Sequence, residues 1–390
     1  MSAIRFSRIE LRNWKNFTRV DVPLANRVFL VGPNASGKSN FLDAFRFLRD
    51  LVTEGGGLAK AVDARDGMWN LRSLLARRTN TQVSIAVEVT NDESSWRYEL
   101  AFSHHSIKKT YPVVVKEQVI HRAAGTERVL FTRPNDADKR DPDQLKQTYI
   151  QQLTQNQEYR ALAEFFGSVS YLHLVPHLVR EGQLPLASTI GADPFGRDLL
   201  DRIRAKPERE RNARLKRIQN VLTIVAAPLS ELELIADDMG RPHLQARFQH
   251  WRPQGAYQTE HQFSDGTLRL IGLLWALQEK KAGPVLLEEP ELSLHSALVR
   301  RLAPFIHRAQ RSGGGRQVLL STHSEERLSD EGIAPEEILL VEPTAEGSKV
   351  ASCASIADVV KLMRHGITAN EAVIPRTKLA QMDLFADLSL

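Results

Sequence analysis

The chain has 390 residues, 42% hydrophobic and 25% charged, with 52 Lys/Arg against 47 Asp/Glu for a mild net charge of +5. That balance excludes a fibrous or largely disordered polymer and allows two to three domain-sized units at roughly 150 residues each. The single cysteine, Cys353, excludes a disulfide framework and a thiolate metal cluster. No apolar run approaches the roughly 20 residues of a membrane helix, and the N-terminus lacks the apolar core of a secretory signal, so the expected address is cytoplasmic with no membrane partner.

Residues 4–12 place Ile4, Phe6, Ile9 and Leu11 in an interrupted alternation that predicts a strand at a sheet edge. Arg27–Val31 predicts a strand running into a glycine-bearing loop, and Lys38–Leu51 has helical apolar spacing through Phe41, Leu42, Phe45 and Leu48. Thr81–Thr90 and Trp96–Phe102 predict a strand pair across the turn at 91–95, continued by Pro112–Ile120 and Glu127–Phe131. Pro134–Gln144 reads as a loop, Gln144–Phe166 as helix and Val169–Val175 as strand. A helical region follows over about 195–226, with Leu215, Ile218, Leu222 and Val225 on one face. Glu231–Ile235 and His243–Phe248 predict a hairpin. The last third alternates a helix from about 266, strand Val285–Leu287, helix 296–310, and strands Val318–Ser321 and Glu337–Val341, which predicts parallel strands with crossover helices.

Four segments carry chemistry. Gly32-Pro33-Asn34-Ala35-Ser36-Gly37-Lys38-Ser39 fits G-x-x-x-x-G-K-[ST] between a strand and a helix. Such a loop turns its backbone N–H groups toward phosphate oxygens and adds the partial positive charge of a helix N-terminus. Lys38 would reach the outer phosphates and the Ser39 hydroxyl would sit on Mg²⁺. The apolar strand ahead of Glu288-Glu289-Pro290 delivers two carboxylates to a sheet edge, one for the metal and one to polarise water. His323 follows another strand, where an imidazole can donate to a terminal phosphate; taken alone it reads equally as a structural histidine. Phe263-Ser264-Asp265-Gly266-Thr267 opens an apolar helix, and reads either as an anion contact or as a plain N-cap.

In this order, GPNASGKS, FSDGT, LLEEPELSLH and STHS resemble an ABC-type ATPase head of the SMC, RecF and overcoming-lysogenisation-defect branch, as in the compact AAA-family ATPases of prokaryotic anti-phage systems. LRNWKNF ahead of the phosphate loop matches the start of that branch. The resemblance covers roughly 1–50 and 260–350. It implies an α/β fold: an ABC-ATPase head with a P-loop parallel core sheet, an antiparallel β subdomain and an inserted helical lobe. It further implies a head-to-head dimer holding two ATP molecules with Mg²⁺. Gly32 through Ser39, with Asn40, would be the Walker A loop, Glu288 the Walker B metal acid, Glu289 the catalytic base and His323 the switch histidine. Ser264 and Gly266 would contact the terminal phosphate of the other copy, and Leu292–His295 would link the two sites. Lys15 and Asn16 fall where the family touches the nucleotide. Glu288 and His295 stand where the wider pattern has Asp, and the Q-loop glutamine is unassigned, with Gln82 and Gln183 as candidates.

The expected division is 1–133 and 251–350 for the two parts of the head, 134–250 for the inserted lobe, and 351–390 for a helical tail. Residues 202–217 hold eight Lys/Arg against Glu208 and Glu210, either a solvated face or a surface for duplex DNA. Pro176 separates His173 from His177 and argues against a shared metal, and His104-His105 has no evident partner. Little chain follows His323 and no D-x-D stands out, against an appended nuclease. The tail Lys378–Leu390 reads as a docking peptide or a terminal helix. The leading expectation is an ATPase whose ATP-dependent dimerisation regulates a separately encoded effector or DNA engagement; the alternatives are a RecF-like repair ATPase, a transporter subunit and a non-hydrolysing scaffold.

Overall fold

In the first strand, β1 (Arg5–Trp14), a register shift between Phe6 and Arg8 absorbs the break in alternation and leaves Phe6, Ile9 and Leu11 on one buried face. The computed structural model describes residues 4–75, 82–104, 111–152, 157–182, 191, 193–225, 229–248, 256–279, 283–312 and 315–377. After β1 come β2 (Phe17–Pro23), β3 (Arg27–Val31), α1 (Lys38–Val52), α2 (Leu58–Asp63) and α3 (Met68–Leu71). Next are β4 (Val83–Thr90), β5 (Ser94–His104), β6 (Pro112–Ala123) and β7 (Thr126–Arg133). These build a six-stranded sheet in the order β2-β1-β4-β5-β6-β7. β1 therefore lies inside the sheet, contrary to the expected edge. The edge is β2, a short strand whose buried residues are Phe17, Val20 and Val22.

The stretch read as a loop contains α4 (Asp136–Arg140). Asn135 caps it by accepting from the backbone N–H of Ala137 and Asp138, while the Asp138 carboxylate accepts from the Asn135 N–H. That capping box was present in the sequence as N-D-A-D. The predicted helix over 144–166 is reduced among the described residues to short 3-10 turns and α5 (Arg160–Gly167). β8 (Ser170–Leu172), α6 (Pro176–Glu181), α7 (Leu199–Arg204) and α8 (Glu208–Val225) lead to β9 (Leu229–Ala236), β10 (Pro242–Phe248) and β11 (Ala256–Thr259). The last three form a separate antiparallel sheet in the order β11-β10-β9, one strand more than the expected hairpin.

The remainder is α9 (Asp265–Leu277), β12 (Val285–Glu288), α10 (Ser296–Ser312), β13 (Val318–Thr322), β14 (Ile338–Glu342), β15 (Lys349–Ser352), α11 (Ala357–Arg364) and α12 (Ala369–Thr377). The second six-stranded sheet runs β15-β14-β3-β13-β12-β8, with only the β14–β15 pair antiparallel. β8 thus belongs to the core sheet, and α5 packs on α1, so residues 134–250 do not stand apart as one lobe. The inner strands β14, β3, β13 and β12 are buried almost throughout because both faces are covered. Val28 and Leu30 face the core shared with α1 and the first sheet, while Phe29 and Val31 face the core under α9 and α10.

Buried polar side chains join these layers. Gln317, just ahead of β13, exchanges hydrogen bonds with both backbone groups of Phe6 on β1 (2.9 and 2.8 Å) and donates to Ala25 O. Arg316 donates to Ala276 O, Gly283 O and the Ser170 hydroxyl, fastening β8 beside β12. Fully buried Arg133 pairs with Asp138 (2.6 Å) and Glu117 (3.3 Å), and Glu117 also accepts from the N–H groups of Tyr149 and Ile150. Removing one partner of such a cluster strands the other charges without water. Arg133→Ala is expected to lower unfolding stability by about 3 to 5 kcal/mol, measured as the shift in the urea midpoint.

Candidate nucleotide-binding site

β3 ends at Val31 and the loop 32–37 carries the chain into α1. Gly37 sits at φ 106°, and a Cβ there would lie 2.1 Å from the Asn16 amide nitrogen. A Cβ on Gly32 would lie 2.3 Å from Val341 O. Glycine is required at both positions, at the first by backbone conformation and contact, at the second by contact alone. The N-terminus of α1 has no side-chain cap, which leaves its first N–H groups directed at the loop. Ser36 Oγ is buried and, among the described residues, has no hydrogen-bond partner. Lys38 Nζ donates to Gly32 O and Pro33 O at 2.9 Å each. Burial pushes the Lys38 ammonium below its ordinary range, while Glu289, Glu291 and Glu288 pull it back up. An uncapped helix start, an orphaned hydroxyl and a cradle without room for side chains fit a phosphate chain.

Glu288 ends β12. One of its oxygens accepts from the Ser39 hydroxyl and the other from the Tyr171 hydroxyl, and His173 Nδ1 lies 3.8 Å away. Burial, reinforced by Glu288, pushes the Tyr171 phenol well above its ordinary range, so it stays a donor. The Ser39–Glu288 pair is an oxygen donor set of the kind Mg²⁺ takes. Glu289 follows at φ 39°, a strained setting for a side-chain-bearing residue, and its N–H donates to Ser321 Oγ. Its carboxylate lies 3.2 Å from His323 Nδ1. The parallel register explains the meeting, since β12 pairs Glu288 with Ser321 two residues before His323.

Ser264 caps α9, its Oγ accepting from Thr267 N and lying 2.8 Å from Thr267 Oγ1. A Cβ on Gly266 would lie 2.5 Å from Ser293 O, so the start of α9 rests directly on the 292–295 loop of its own chain. Arg180 on α6 donates to Phe263 O and to the Asp265 carboxylate. Glu291 accepts from Thr322 Oγ1 (2.5 Å) and from Arg327 (2.6 Å), both buried, and so ties that loop to the strand leading to His323.

A family model described as "AAA domain, putative AbiEii toxin, Type IV TA system" matches residues 27–329. The chain belongs to this AAA-domain family. Its fold is that of SMC heads. It is similar to an SMC head bound to the C-winged helix domain of ScpA, with TM-score 0.54 and 16% identity over 89% of this chain and 97% of that one. It also resembles the Pyrococcus furiosus SMC head with an extended coiled coil bound to the C-terminal domain of ScpA, with TM-score 0.52 and 13% identity over 93% and 100%. A shorter likeness, 45% identity over 58 residues, is to the Bacillus cereus endonuclease GajA. It spans 15% of this chain and 10% of that protein. No described helix is long and apolar enough to cross a membrane.

Other expected site residues sit one layer further out. Asn16 donates to Ser36 O and to Ser348 Oγ and accepts from Asn40, bracing the loop 32–37 from behind. Lys15 pairs with Asp43 at 2.7 Å. Both, with Asn40, Trp69 and Leu74, line a cleft of about 630 Å³ beside α1. Gln82 lies ahead of β4, its carbonyl accepting from Asn13. Gln183, His105 and the tail 378–390 lie outside the described residues. His177 pairs with Glu181, and His173 faces Glu288 instead, so the two share no site. Part of the basic stretch is engaged within the chain. Arg202 meets Asp198, Arg204 meets Asp201, Arg214 meets Glu210 and stacks on Trp275, and Arg217 donates to Gln278. Tyr171, Arg180, Glu291 and Arg327 escaped the sequence reading because each acts through a partner remote in the chain.

Burial opposes ionisation of Asp43, but Arg65 and Lys15 overcome it and hold its carboxyl at about 2. Because the folded value is depressed, its contribution is complete above the unfolded value and is lost as pH falls from about 4 toward 2. Asp43→Asn should therefore flatten the acid limb of a stability-versus-pH curve. Gly266→Ala should keep nucleotide binding, read with a fluorescent ATP analogue, while phosphate release falls about tenfold or more, because the new methyl pushes α9 off Ser293.

Proposed function

We propose that this chain is an ATP-hydrolysing switch. Two copies join head to head over ATP, and the joined state regulates a separately encoded effector protein, in a prokaryotic anti-phage setting. The observation that carries the reading is the convergence, at the C-terminal edge of one parallel sheet, of the phosphate loop, the Ser39–Glu288 pair and the Glu289–His323 pair. Mg²⁺, when bound, would offset charge on the phosphate oxygens.

The chain's own residues would do the rest. The N–H groups of 32–37 and the start of α1 hold the phosphates, and Lys38 leaves the carbonyls of Gly32 and Pro33 to reach the outermost ones. Ser39 and Glu288 would hold the metal. Glu289 orients the attacking water and accepts its proton, with His323 steadying the carboxylate. Ser264 and Gly266 of the second copy close the site. The cleft lined by Lys15, Asn40 and half-exposed Trp69 is the place for the base. Intrachain pairing of the 202–217 cations favours a protein effector over DNA, as does the ScpA domain seated on an SMC head of this fold.

The test is steady-state ATP hydrolysis by the wild type and by Glu289→Gln, with and without duplex DNA. Wild-type turnover should be indifferent to DNA. The variant should lose activity by about 10² to 10⁴-fold and elute as an ATP-dependent dimer. Unchanged hydrolysis in the variant would remove Glu289 as the base.

A further inference from the structure

Away from the nucleotide residues, the small sheet carries a second cluster of polar side chains. Glu260 follows β11, is 1% exposed, and its N–H donates to Leu244 O on β10. One Glu260 oxygen accepts from the Leu244 N–H at 2.9 Å. The other faces two imidazole nitrogens at once, His243 Nδ1 at 2.7 Å and His261 Nε2 at 3.4 Å. The three ligand atoms all lie within 4.8 Å of one another.

Two imidazoles and a carboxylate converging on one point form the N₂O set that borderline divalent ions prefer over Mg²⁺ or Ca²⁺. In a tetrahedral zinc site with bonds of about 2.0–2.1 Å, ligand atoms sit about 3.3 Å apart. The His261–Glu260 separation already matches, and the His243–Glu260 pair needs to open by about half an ångström to reach it. The far nitrogen of His243 faces the Asp237 carboxylate at 3.6 Å, and a carboxylate behind a ligating imidazole is what orients such rings. His261 is half exposed, which leaves an entry path and room for water as a fourth ligand.

We propose that His243, Glu260 and His261 form a Zn²⁺ site, completed by water, that clamps the end of β11 to β10 immediately ahead of Ser264. Arg180 connects the two features. It donates to Glu260 O as well as to Phe263 O and the Asp265 carboxylate, so the clamp and the start of α9 share one guanidinium. The binding claim stands apart from the ATPase reading, and only its effect on Ser264 and Gly266 at the start of α9 depends on it.

The experiment uses the full untagged chain, stripped with a chelator and titrated with Zn²⁺ against a chromophoric competitor. One equivalent should bind tightly. His243→Ala and His261→Ala should each weaken binding by about tenfold or more, whereas Glu288→Gln should leave that equivalent intact. Because His261 is half exposed, His261→Ala should melt with the metal-free wild type, and Zn²⁺ should raise Tm only for the wild type. Co²⁺ should give the visible absorption of a tetrahedral centre in the wild type and not in His261→Ala. Absence of Zn²⁺ binding, or binding that both histidine variants retain, overturns the proposal and leaves a hydrogen-bonded cluster.

Discussion

The ladder that pairs Arg27–Val31 with Val318–Thr322, and with Ile338–Leu340 on its other side, is the constraint on which the remaining geometry depends. It brings the start of the chain between two strands from its last quarter, so the loop 32–37, Glu288, Glu289 and His323 arrive at one sheet edge. Parallel strands deliver their following residues to the same end of a sheet, which is why three sequence-remote segments meet there. The cost is loop-closure entropy across nearly the whole chain, offset by the two apolar cores that the sheet separates.

Buried polar side chains then decide which sheet packs where. Gln317 reads the backbone of Phe6, Arg316 holds β8 beside β12, and Asn16 binds the phosphate loop to the β14–β15 side through Ser348. Each is directional and each would leave an unpaired group if its partner moved, so these bonds select one arrangement among several that would bury similar apolar area. Lys15 and Asp43 belong to this supporting layer. Arg65 shares Asp43 and also reaches Asp50, locking α1 against the turn after α2.

The start of α9 is the place where several parts of the molecule meet. It rests on Ser293 of its own chain, is held by Arg180 from α6, and follows β11 with only a short connection. Movement of α6 or of the small sheet would therefore be felt at Ser264 and Gly266 through short, directional contacts. Glu291, shared by Thr322 and Arg327, does the same between the 292–295 loop and the strand carrying His323.

The local signals were legible wherever chemistry depends on spacing along the chain. The glycine loop between strand and helix, the acids after an apolar run, the alternation of 83–131 and the parallel last third all follow from periodicity and turn chemistry. Even the missed α4 was written in its capping residues. What the sequence could not supply was adjacency between distant segments: β8 in the core sheet, Tyr171 on Glu288, Arg180 on the turn ahead of α9, and Arg217 on Gln278. Those depend on which strands pair and which faces pack, and side-chain periodicity specifies a buried face without naming the surface that will cover it. The sequence alone determined most of the elements and the glycine loop between β3 and α1. The tertiary structure decided which charges are spent on support and which are left to act, because pairing is set by distance in space.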